Sequence, residues 1–363
     1  MTIVADTRQF VIGVDTHARS HALSILIAAT GAVLDEAQFP ATAAGLTRAI
    51  DWVARRTGGD LAALWVIECV GAYGARMAAI VTQAGYQVVE AARMNARANR
   101  GVGKSDPLDA RRIAASVLPL EADQLRHPRK DDGVRAALRV LVAARDMMTT
   151  ERTAQINALT ALVRTVDLGI DARRSLAKTQ IAEIGKWRER NEDIAHAIAR
   201  AEAVRLAKRV ATLSEELARN TATMAELIKQ SPARPLLDQP GIGPVTAAVA
   251  MAAWSHHGRL RDEAAFASLA GVNPIPASSG NIIRHRLNRG GDRRLNQALH
   301  MAVVTRMAHD PRTRIYVERR RGEGRTPREI RRLLKRYLAR QIYRQLNATC
   351  QGLDTPPHAP VPA

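Results

Sequence analysis

The segment FVIGVD, residues 10–15, is a short apolar run that ends in an acidic residue, Asp15. Short apolar runs bounded by turn residues predict buried strands, and segments with helical spacing, 42–56 and 75–84, separate the later ones. The other predicted strands are HALSILIAA (21–29), AVLDEAQFP (32–40), LAALWVIECVG (61–71) and YQVVEA (86–91). Strands that alternate with helices predict an α/β layer with some parallel pairing.

Four carboxylates come from three segments of this predicted layer. Asp15 ends the first strand, Glu68 lies within the apolar run WVIECV, and Asp106 and Asp109 occur in SDPLDA at the start of a helix. A carboxylate inside an apolar strand is costly unless another group compensates for it. Mg²⁺ prefers oxygen ligands, and two such ions can stabilise the attacking and leaving oxygens of phosphoryl transfer. The combination therefore predicts a ribonuclease-H-like metal site.

A purely structural role remains an alternative for each acid taken alone. Asp106 could cap the helix, and Asp109 could form an ion pair with Arg111 or Arg112.

The remainder of the chain is predicted to be helical. Residues 129–230 are rich in Ala, Arg, Glu and Leu with helical spacing, which favours two or three long helices, an antiparallel coiled coil broken near 167–172. This region is interpreted either as an oligomerisation arm or as a plain helical bundle. We predict an α/β domain at 10–125, the helical middle at 129–230, a helical C-terminal domain at 231–347 and a disordered proline-rich tail at 348–363.

The charge of the chain indicates a polyanionic partner. The net charge is +19, and residues 281–350 contain 19 arginines and lysines against five acidic residues. Such an excess is typical of nucleic-acid binding, although a solvated helical face is the simpler explanation of any single cluster. Aromatic residues make up only 3% of the chain, so stacking on single-stranded bases is not expected to dominate binding.

Composition also bounds the location of the protein. Two cysteines provide neither a disulfide framework nor a thiolate zinc site. The N-terminus has no basic-then-apolar signal, and the longest apolar helical run, VTAAVAMAAW (245–254), is too short to span a bilayer. We expect a cytoplasmic protein with no membrane partner.

The segment QPGIGPVTAA, residues 239–248, resembles a helix-hairpin-helix element. Gly241 and Gly243 permit a tight turn whose amides can approach a phosphate, and Pro244 suits the start of the next helix. Such hairpins contact the DNA backbone without reading sequence. A structural turn between packed helices is the alternative.

A loop with two adjacent serines follows this region. In GVNPIPASSGNIIRHRLNRGGDRRLN (271–296), two prolines break any helix before Ser278 and Ser279, and Asp292 is a candidate helix N-cap. A serine hydroxyl is a weak nucleophile, and alone this loop predicts only a turn. The candidate phosphate-binding arginines of this stretch are Arg284, Arg286, Arg289, Arg293 and Arg294.

Taken together, these motifs resemble the DEDD-type transposases of the insertion-sequence one-ten family. The resemblance covers about residues 10–310 and rests on GVDTHARSHAL, VIECVGAYG, GKSDPLDARRIA, LLDQPGIGPVTAA and LAGVNPIPASSG followed by LNRGGDRRLN. It implies a RuvC-like N-terminal domain and a C-terminal transposase domain. By matched position it implies an acidic tetrad that binds Mg²⁺, namely Asp15, Glu68, Asp106 and Asp109.

The resemblance also implies a mechanism. The family serine precedes a glycine five positions after a proline, which corresponds to Ser279, with Ser278 as the alternative. It would attack a DNA phosphate and form a phosphoserine intermediate. Members of the family are guided by a bridge RNA that pairs with donor and target DNA, and they act as dimers or tetramers with active sites shared between subunits.

Two other functions remain open at this point. One is a RuvC-like junction nuclease that uses water in place of serine. The other is a non-catalytic helix-hairpin-helix DNA-binding protein, whose binding would not need the acidic residues.

Overall fold

A computed structural model of the chain describes residues 2–91, 105–129, 133–278 and 285–351, and these form two compact units. One unit comprises the described residues up to 129 together with 255–265, and the other comprises the described residues of 133–254 and of 266–351. Within the described ranges, no helix combines the length and the apolar character that a membrane span requires.

The first unit is a five-stranded mixed sheet with helices on both faces, as the α/β prediction expected. The strand order is β3-β2-β1-β4-β5, with antiparallel pairing on the β3–β1 side and parallel pairing from β1 to β5. Its helices and strands are α1 (Val4–Thr7), β1 (Phe10–Thr16), β2 (Ser20–Ile27), β3 (Ala32–Pro40), α2 (Ala43–Thr57), β4 (Leu64–Ile67), α3 (Ala75–Gln83), β5 (Gln87–Glu90) and α4 (Asp106–Ala115).

The two faces of the sheet contain different residues of β1. Ile12 and Val14 pack into the core beneath α2 and α3, whereas Val11 packs with Ile113 of α4 on the opposite face. Because side chains alternate along a strand, Asp15 is in phase with the α4 face. The fold thus places the carboxylate that ends β1 on the side of the sheet that α4 covers.

A glycine in β1 allows α4 to approach the sheet closely. A Cβ atom on Gly13 would lie 2.0 Å from the carbonyl oxygen of Ala110 and 2.7 Å from the backbone nitrogen of Ala114. Both atoms belong to the helix backbone, which cannot rotate away as a flexible side chain can. Gly13 therefore sets the distance between β1 and α4, the two elements that provide Asp15 and Asp106.

We expect Gly13→Ala to destabilise the first unit by at least about 2 kcal/mol, because the added methyl group overpacks a backbone contact. Thermal or urea unfolding of the full chain would measure the loss. Gly71→Ala is the matched control, since a Cβ there meets nothing within 4 Å. Equal stability of the two variants would contradict this role for Gly13.

The predicted strand at 61–71 is shorter than expected. β4 ends at Ile67, and Glu68 is the first residue after it, so the prediction that Glu68 lies within a buried strand is wrong. The chain turns at once, because Cys69 has a positive φ of 50° and Gly74 packs against the carbonyl oxygen of Glu68. Glu68 therefore lies at the carboxyl end of a parallel strand, half-buried beside the end of β1.

Most of the remaining chain forms the second unit, which is almost entirely helical. Its elements are α5 (Gly133–Thr165), α6 (Lys178–Ile184), α7 (Ile194–Lys229), α8 (Pro244–Trp254), α9 (Glu263–Leu269), β6 (Pro274–Pro276), β7 (His285–Leu287), α10 (Arg293–His309), α11 (Pro311–Gly322) and α12 (Pro327–Gln351).

The long helices α5 and α7 run antiparallel, and the chain breaks between them at 166–177, as predicted for the helical middle. Asn220, late in α7, donates to the carbonyl oxygen of Leu141, early in α5, at 3.1 Å. Arg209 pairs with Glu151 at 2.7 Å near the middle of both helices, as antiparallel packing requires. Buried Leu and Val side chains line the rest of the contact.

The last helix, α12, is strongly basic. Thr326 and Glu329 form a reciprocal cap at its start, because the Glu329 backbone N–H donates to the Thr326 hydroxyl and the Glu329 carboxylate accepts from the Thr326 N–H. The helix extends to Gln351, so 348–351, placed in the tail from composition, are helical. The remainder of the predicted disordered tail lies outside the described residues.

Candidate active site

The acidic site begins at the carboxyl end of β1. Asp15 is only 6% exposed, and its carboxylate oxygen Oδ2 lies 3.2 Å from Nε2 of His17. The same nitrogen lies 3.5 Å from Oδ1 of Asp106, at the start of α4. Asp15, His17 and Asp106 offer ligand atoms that all lie within 4.8 Å of one another. A strand end and a helix start, far apart in sequence, therefore converge on one point.

Glu68 joins this group from the end of β4. Its backbone N–H donates to the carbonyl oxygen of Val14 at 3.0 Å, and its carbonyl oxygen accepts from the Thr16 hydroxyl at 3.1 Å. These bonds fix its backbone beside Asp15. Burial raises the pKa of the Glu68 carboxyl, and the Asp15 carboxylate, through its charge and a hydrogen bond, and the charge of Asp109 raise it further.

Asp109 is the fourth carboxylate, one helical turn after Asp106. Its Oδ1 atom accepts from Nη1 of Arg112 at 3.0 Å, which is the ion pair considered as its structural alternative. Its charge also acts on Glu68, whose pKa it raises. The helix begins with Pro107 in its first turn, but no side-chain cap bond from Ser105 is present, so α4 starts without the usual Ser cap.

Of the four predicted carboxylates, Asp15 and Asp106 lie close together around His17. Glu68 is connected to Asp15 by a hydrogen bond, and Asp109 acts on Glu68 through its charge. Carboxylate oxygens of this kind fit a hard divalent cation. Three strand or helix ends supply acidic oxygens, and the pKa of Glu68 is raised first by burial and then by repulsion from the charges of Asp15 and Asp109. A bound Mg²⁺ would relieve this repulsion, since it takes carboxylate oxygens as ligands and keeps coordination positions for phosphate and water. The residues that would hold it are Asp15, Glu68, Asp106 and Asp109.

The sequence reasoning missed His17. This imidazole lies between two of the carboxylates, although imidazole is a less suitable ligand for Mg²⁺ than an oxygen atom. The spacing in GVDTH could have indicated His17, because it places this residue two positions after Asp15. Residues two apart in a strand lie on the same face.

Millimolar Mg²⁺ should raise the melting temperature of the wild-type chain by several degrees, because a ligand that binds only the folded state stabilises it. Asp15→Asn should remove most of that increase. Differential scanning calorimetry with Mg²⁺ and with EDTA provides the measurement, and Asp51→Asn, at an exposed position of α2, is the control. Similar Mg²⁺ responses in the two variants would contradict a cation site at Asp15.

The serine loop lies in the second unit, on a short antiparallel hairpin formed by β6 and β7, which we call the serine hairpin (residues 274–287). Ser278 is exposed just beyond β6. Ser279 and Arg284 lie outside the described residues. The prediction that prolines place Ser278 outside a helix is confirmed.

Several bonds hold the base of the serine hairpin. A Cβ atom on Gly291 would lie 2.3 Å from the Gly271 nitrogen, so the two ends of the hairpin segment touch through backbone atoms. The Asn288 side chain donates to the side-chain oxygen of Asn273 at 2.7 Å. Asp292 is the N-cap of α10, as predicted, and its carboxylate accepts from the N–H of Leu295 at 3.1 Å.

The described arginines of this stretch are all exposed. Arg286 lies in β7, Arg289 follows it, and Arg293 begins α10. Arg294 forms an ion pair with Asp146 of α5, so this arginine contributes to packing within the second unit. Arg286, Arg289 and Arg293 are exposed on the serine hairpin or directly after it. Exposed guanidinium groups at these positions can contact nucleic-acid phosphates.

The turn before α8 contains Gly241 and Gly243, and packing against α10 explains why the first of them is a glycine. Gly241 has a φ of 73°, and a Cβ there would lie 2.6 Å from the carbonyl oxygen of Ala302 in α10. Gly243 has nothing within 4 Å of such an atom, so its side of the turn is open. Only a five-residue 3-10 helix, Arg234–Asp238, precedes the turn, because prolines 235 and 240 prevent a longer α-helix.

Comparison with known proteins identifies the class. Residues 12–166 match a DEDD-type IS110 model described as a transposase, and residues 233–318 match the model described as transposase IS116/IS110/IS902 family. The two models together cover more than half of the chain, and they define a DNA transposase, an enzyme of DNA recombination. The chain belongs to the IS110 family of insertion-sequence transposases.

Two insertion-element proteins are similar to it. The chain is 28% identical over 323 residues to the insertion element IS900 uncharacterized 42 kDa protein of Mycobacterium paratuberculosis, covering 74% of this chain and 78% of that protein. It is 32% identical over 123 residues to the insertion element IS110 uncharacterized 43.6 kDa protein of Streptomyces coelicolor, covering 33% of this chain and 30% of that protein.

Proposed function

We propose that the chain cuts and rejoins DNA through a Mg²⁺-dependent acidic tetrad in a RuvC-like, ribonuclease-H-like domain and a serine nucleophile in the C-terminal region. One observation supports the metal-dependent part most directly. Asp15 and Asp106, from the end of β1 and the start of α4, converge around His17, and Glu68 follows the neighbouring parallel strand, with its pKa raised by burial and by the charges of Asp15 and Asp109. Ser279 is the proposed nucleophile, with Ser278 as the alternative.

The proposed chemistry is a transesterification. The serine Oγ forms a bond to the scissile phosphorus, its proton leaves, and one P–O ester bond breaks, so that the departing strand ends in a hydroxyl group. When bound, Mg²⁺ supplies Lewis-acid stabilisation of the negative charge on the phosphate. The carboxylates would hold the metal ion, and the arginines after the hairpin would neutralise neighbouring phosphates.

A RuvC-like junction nuclease that activates water is the alternative within enzymes. It would use the same carboxylates, so the geometry of the acidic cluster supports it equally. The two mechanisms differ in one product: only the serine mechanism leaves protein covalently attached to DNA. Denaturing electrophoresis of reactions stopped with detergent separates them.

The second alternative is a non-catalytic DNA-binding protein that uses the glycine turn. Gly243 faces open space and could present backbone amides to a phosphate, whereas Gly241 is explained by its contact with α10. Gly243→Ala should weaken nonspecific DNA binding a few-fold if the turn contacts the backbone. This function would leave the acidic cluster without a purpose, so we place it last.

We further propose that a structured bridge RNA from the same insertion element guides the protein to donor and target DNA. This part rests on family membership and on the basic C-terminal region, where α11 and α12 carry most of the positive charge. Native protein should copurify with one RNA species encoded beside its reading frame. Sequencing of the bound RNA measures this, and a random sample of cellular RNA would contradict the guide.

DNA affinity should fall steeply with salt. A protein that contacts six or more phosphates loses roughly 10³-fold in affinity or more between 50 and 200 mM salt, because counterions compete for the phosphates. Fluorescence anisotropy with a DNA duplex across this range gives the slope. A flat dependence would contradict the assignment of the exposed arginines to phosphate contacts.

The helical middle is proposed to be an assembly arm that lets acidic sites and serines of different subunits act together. Apolar side chains support this role, since Ile194 and Ile198 of α7 and Met147 of α5 are largely exposed.

We propose a homodimer or homotetramer that acts in the bacterial cytoplasm at the nucleoid, where its DNA substrates lie.

A further inference from the structure

Two helix faces in the second unit bring cationic side chains together near the serine hairpin. Asn296 and His300 lie one turn apart on α10, and Arg331 and Lys335 lie one turn apart on α12. The faces meet where the Lys335 ammonium donates to the side-chain oxygen of Asn296 at 2.8 Å. Residues four apart share one face of a helix, so all four side chains border the same contact.

Asn296 connects this contact to the base of the serine hairpin. Its side-chain nitrogen donates to the carbonyl oxygen of Ala270 at 2.7 Å, just before the glycine that packs against Gly291. The amide group is thereby oriented, with its oxygen turned to Lys335. Lys335 is therefore connected through Asn296 to the chain just before the serine hairpin. The proposed serine mechanism assigns no role to this lysine.

Cations crowd this position. Burial lowers the pKa of Lys335, and the positive charges of Arg332 and Arg331 lower it further. Burial also lowers the pKa of His300, again with contributions from Lys335 and Arg331. Like charges this close destabilise each other unless an anion compensates them.

The carboxylates at the starts of α10, α11 and α12 have other partners. Asp292 caps α10, Asp310 caps α11 and Glu329 bonds to Thr326. A basic helix whose cations point into water would be the simple explanation of such charge. It does not account for Lys335, which is half-buried and bonded to a side chain that is itself fixed.

We propose that Lys335, His300 and Arg331 bind a backbone phosphate of a nucleic-acid strand at the base of the serine hairpin. The negative charge of the phosphate would offset the positive charges of Lys335 and Arg331 between α10 and α12. The bound nucleic-acid strand would thereby be held in a fixed position relative to the serine hairpin. This inference rests on the proposed function in one respect: the strand is taken to belong to the donor DNA, the target DNA or the bridge RNA. Its ligand chemistry, a phosphodiester, is common to DNA and RNA.

The test compares nucleic-acid binding by the full chain and by Lys335→Met, which keeps the length of the side chain and removes its charge. Fluorescence anisotropy with a labelled DNA duplex and, separately, with an RNA hairpin of similar length is measured in EDTA over a range of salt. We expect about tenfold weaker binding in at least one arm, with a salt slope lower by about one, as for the loss of one phosphate contact.

Lys208→Met is the matched control, because Lys208 is an exposed lysine of α7 in the same unit. A larger loss with DNA assigns the phosphate to DNA, and a larger loss with RNA assigns it to RNA. If Lys335→Met and Lys208→Met bind both probes within twofold of each other, the proposal is wrong.

A second variant covers the case in which Lys335→Met fails to fold. His300→Glu places a carboxylate beside Lys335 and Arg331, so it should raise the melting temperature and weaken binding by a similar factor. A merely structural cluster would gain stability without losing affinity, and that result would overturn the proposal. Both measurements exclude divalent metal and score no cleavage. Their failure therefore removes the phosphate site alone, whereas absence of Mg²⁺-dependent cleavage by the wild-type chain counts against the proposed function.

Discussion

Asp15→Asn should reduce Mg²⁺-dependent DNA cleavage and strand transfer by about 10³-fold or more, while DNA binding stays within a few-fold of wild type. Asp15 is the most buried carboxylate of the cluster, and it lies beside Glu68, His17 and Asp106. Removing its charge takes away a ligand and leaves the phosphate without the stabilisation that a metal site provides, typically several kcal/mol. Strand transfer between labelled donor and target DNA, with the copurified RNA present, measures the loss.

The controls separate catalysis from folding and binding. Asp51→Asn should keep full activity, and Glu68→Gln should lose activity as Asp15→Asn does. Anisotropy in EDTA checks that both site variants still bind DNA. An architectural DNA-binding protein predicts that Asp15→Asn and Glu68→Gln change nothing, so retained strand transfer in either variant would contradict the metal-dependent account.

Ser279→Ala should abolish the covalent protein–DNA adduct and reduce strand transfer by at least about 10³-fold, because no other hydroxyl takes over as nucleophile. Ser278→Ala should retain both activities within a few-fold. The readout is a detergent-resistant shift of labelled DNA, followed by mass spectrometry of the peptide that carries the nucleotide.

The double variant settles the remaining alternative. If Ser278→Ala loses the adduct and Ser279→Ala keeps it, the nucleophile is the neighbouring serine and the mechanism stands with that correction. If the variant with both serines replaced still transfers strands, a serine intermediate is excluded and activated water becomes the better explanation.

Much of the first unit follows from local sequence patterns. Short apolar runs such as FVIGVD form strands because their side chains are buried on both faces of a covered sheet, and Thr42 accepts from Gly45 to cap α2 at its predicted start. The acidic residues could be picked out because carboxylates in or beside apolar runs are costly unless another group compensates for them. Their position at the carboxyl ends of the parallel strands β1 and β4 follows from strand pairing, which the sequence pattern did not specify.

Other features depend on long-range packing and were not predictable from local pattern. The boundary of β4 is set by the turn at Cys69, a non-glycine residue with positive φ, which apolarity alone does not reveal. Gly241 was interpreted as a phosphate-binding glycine, yet its lack of a side chain is required by the backbone of α10. The position of Lys335 against Asn296 joins residues 39 apart in sequence.

The central claim is that the carboxylate-bound cation and the serine hydroxyl act on one phosphodiester in the nucleic-acid-bound assembly. Iron-directed cleavage tests it most directly: Fe²⁺ replaces Mg²⁺, and hydroxyl radicals formed at the bound iron cut only nearby backbone. We predict cuts near residues 15, 68 and 106–109 and, when DNA and RNA are bound, additional cuts near 278–279. Cuts confined to the acidic segments in the full complex would contradict the claim.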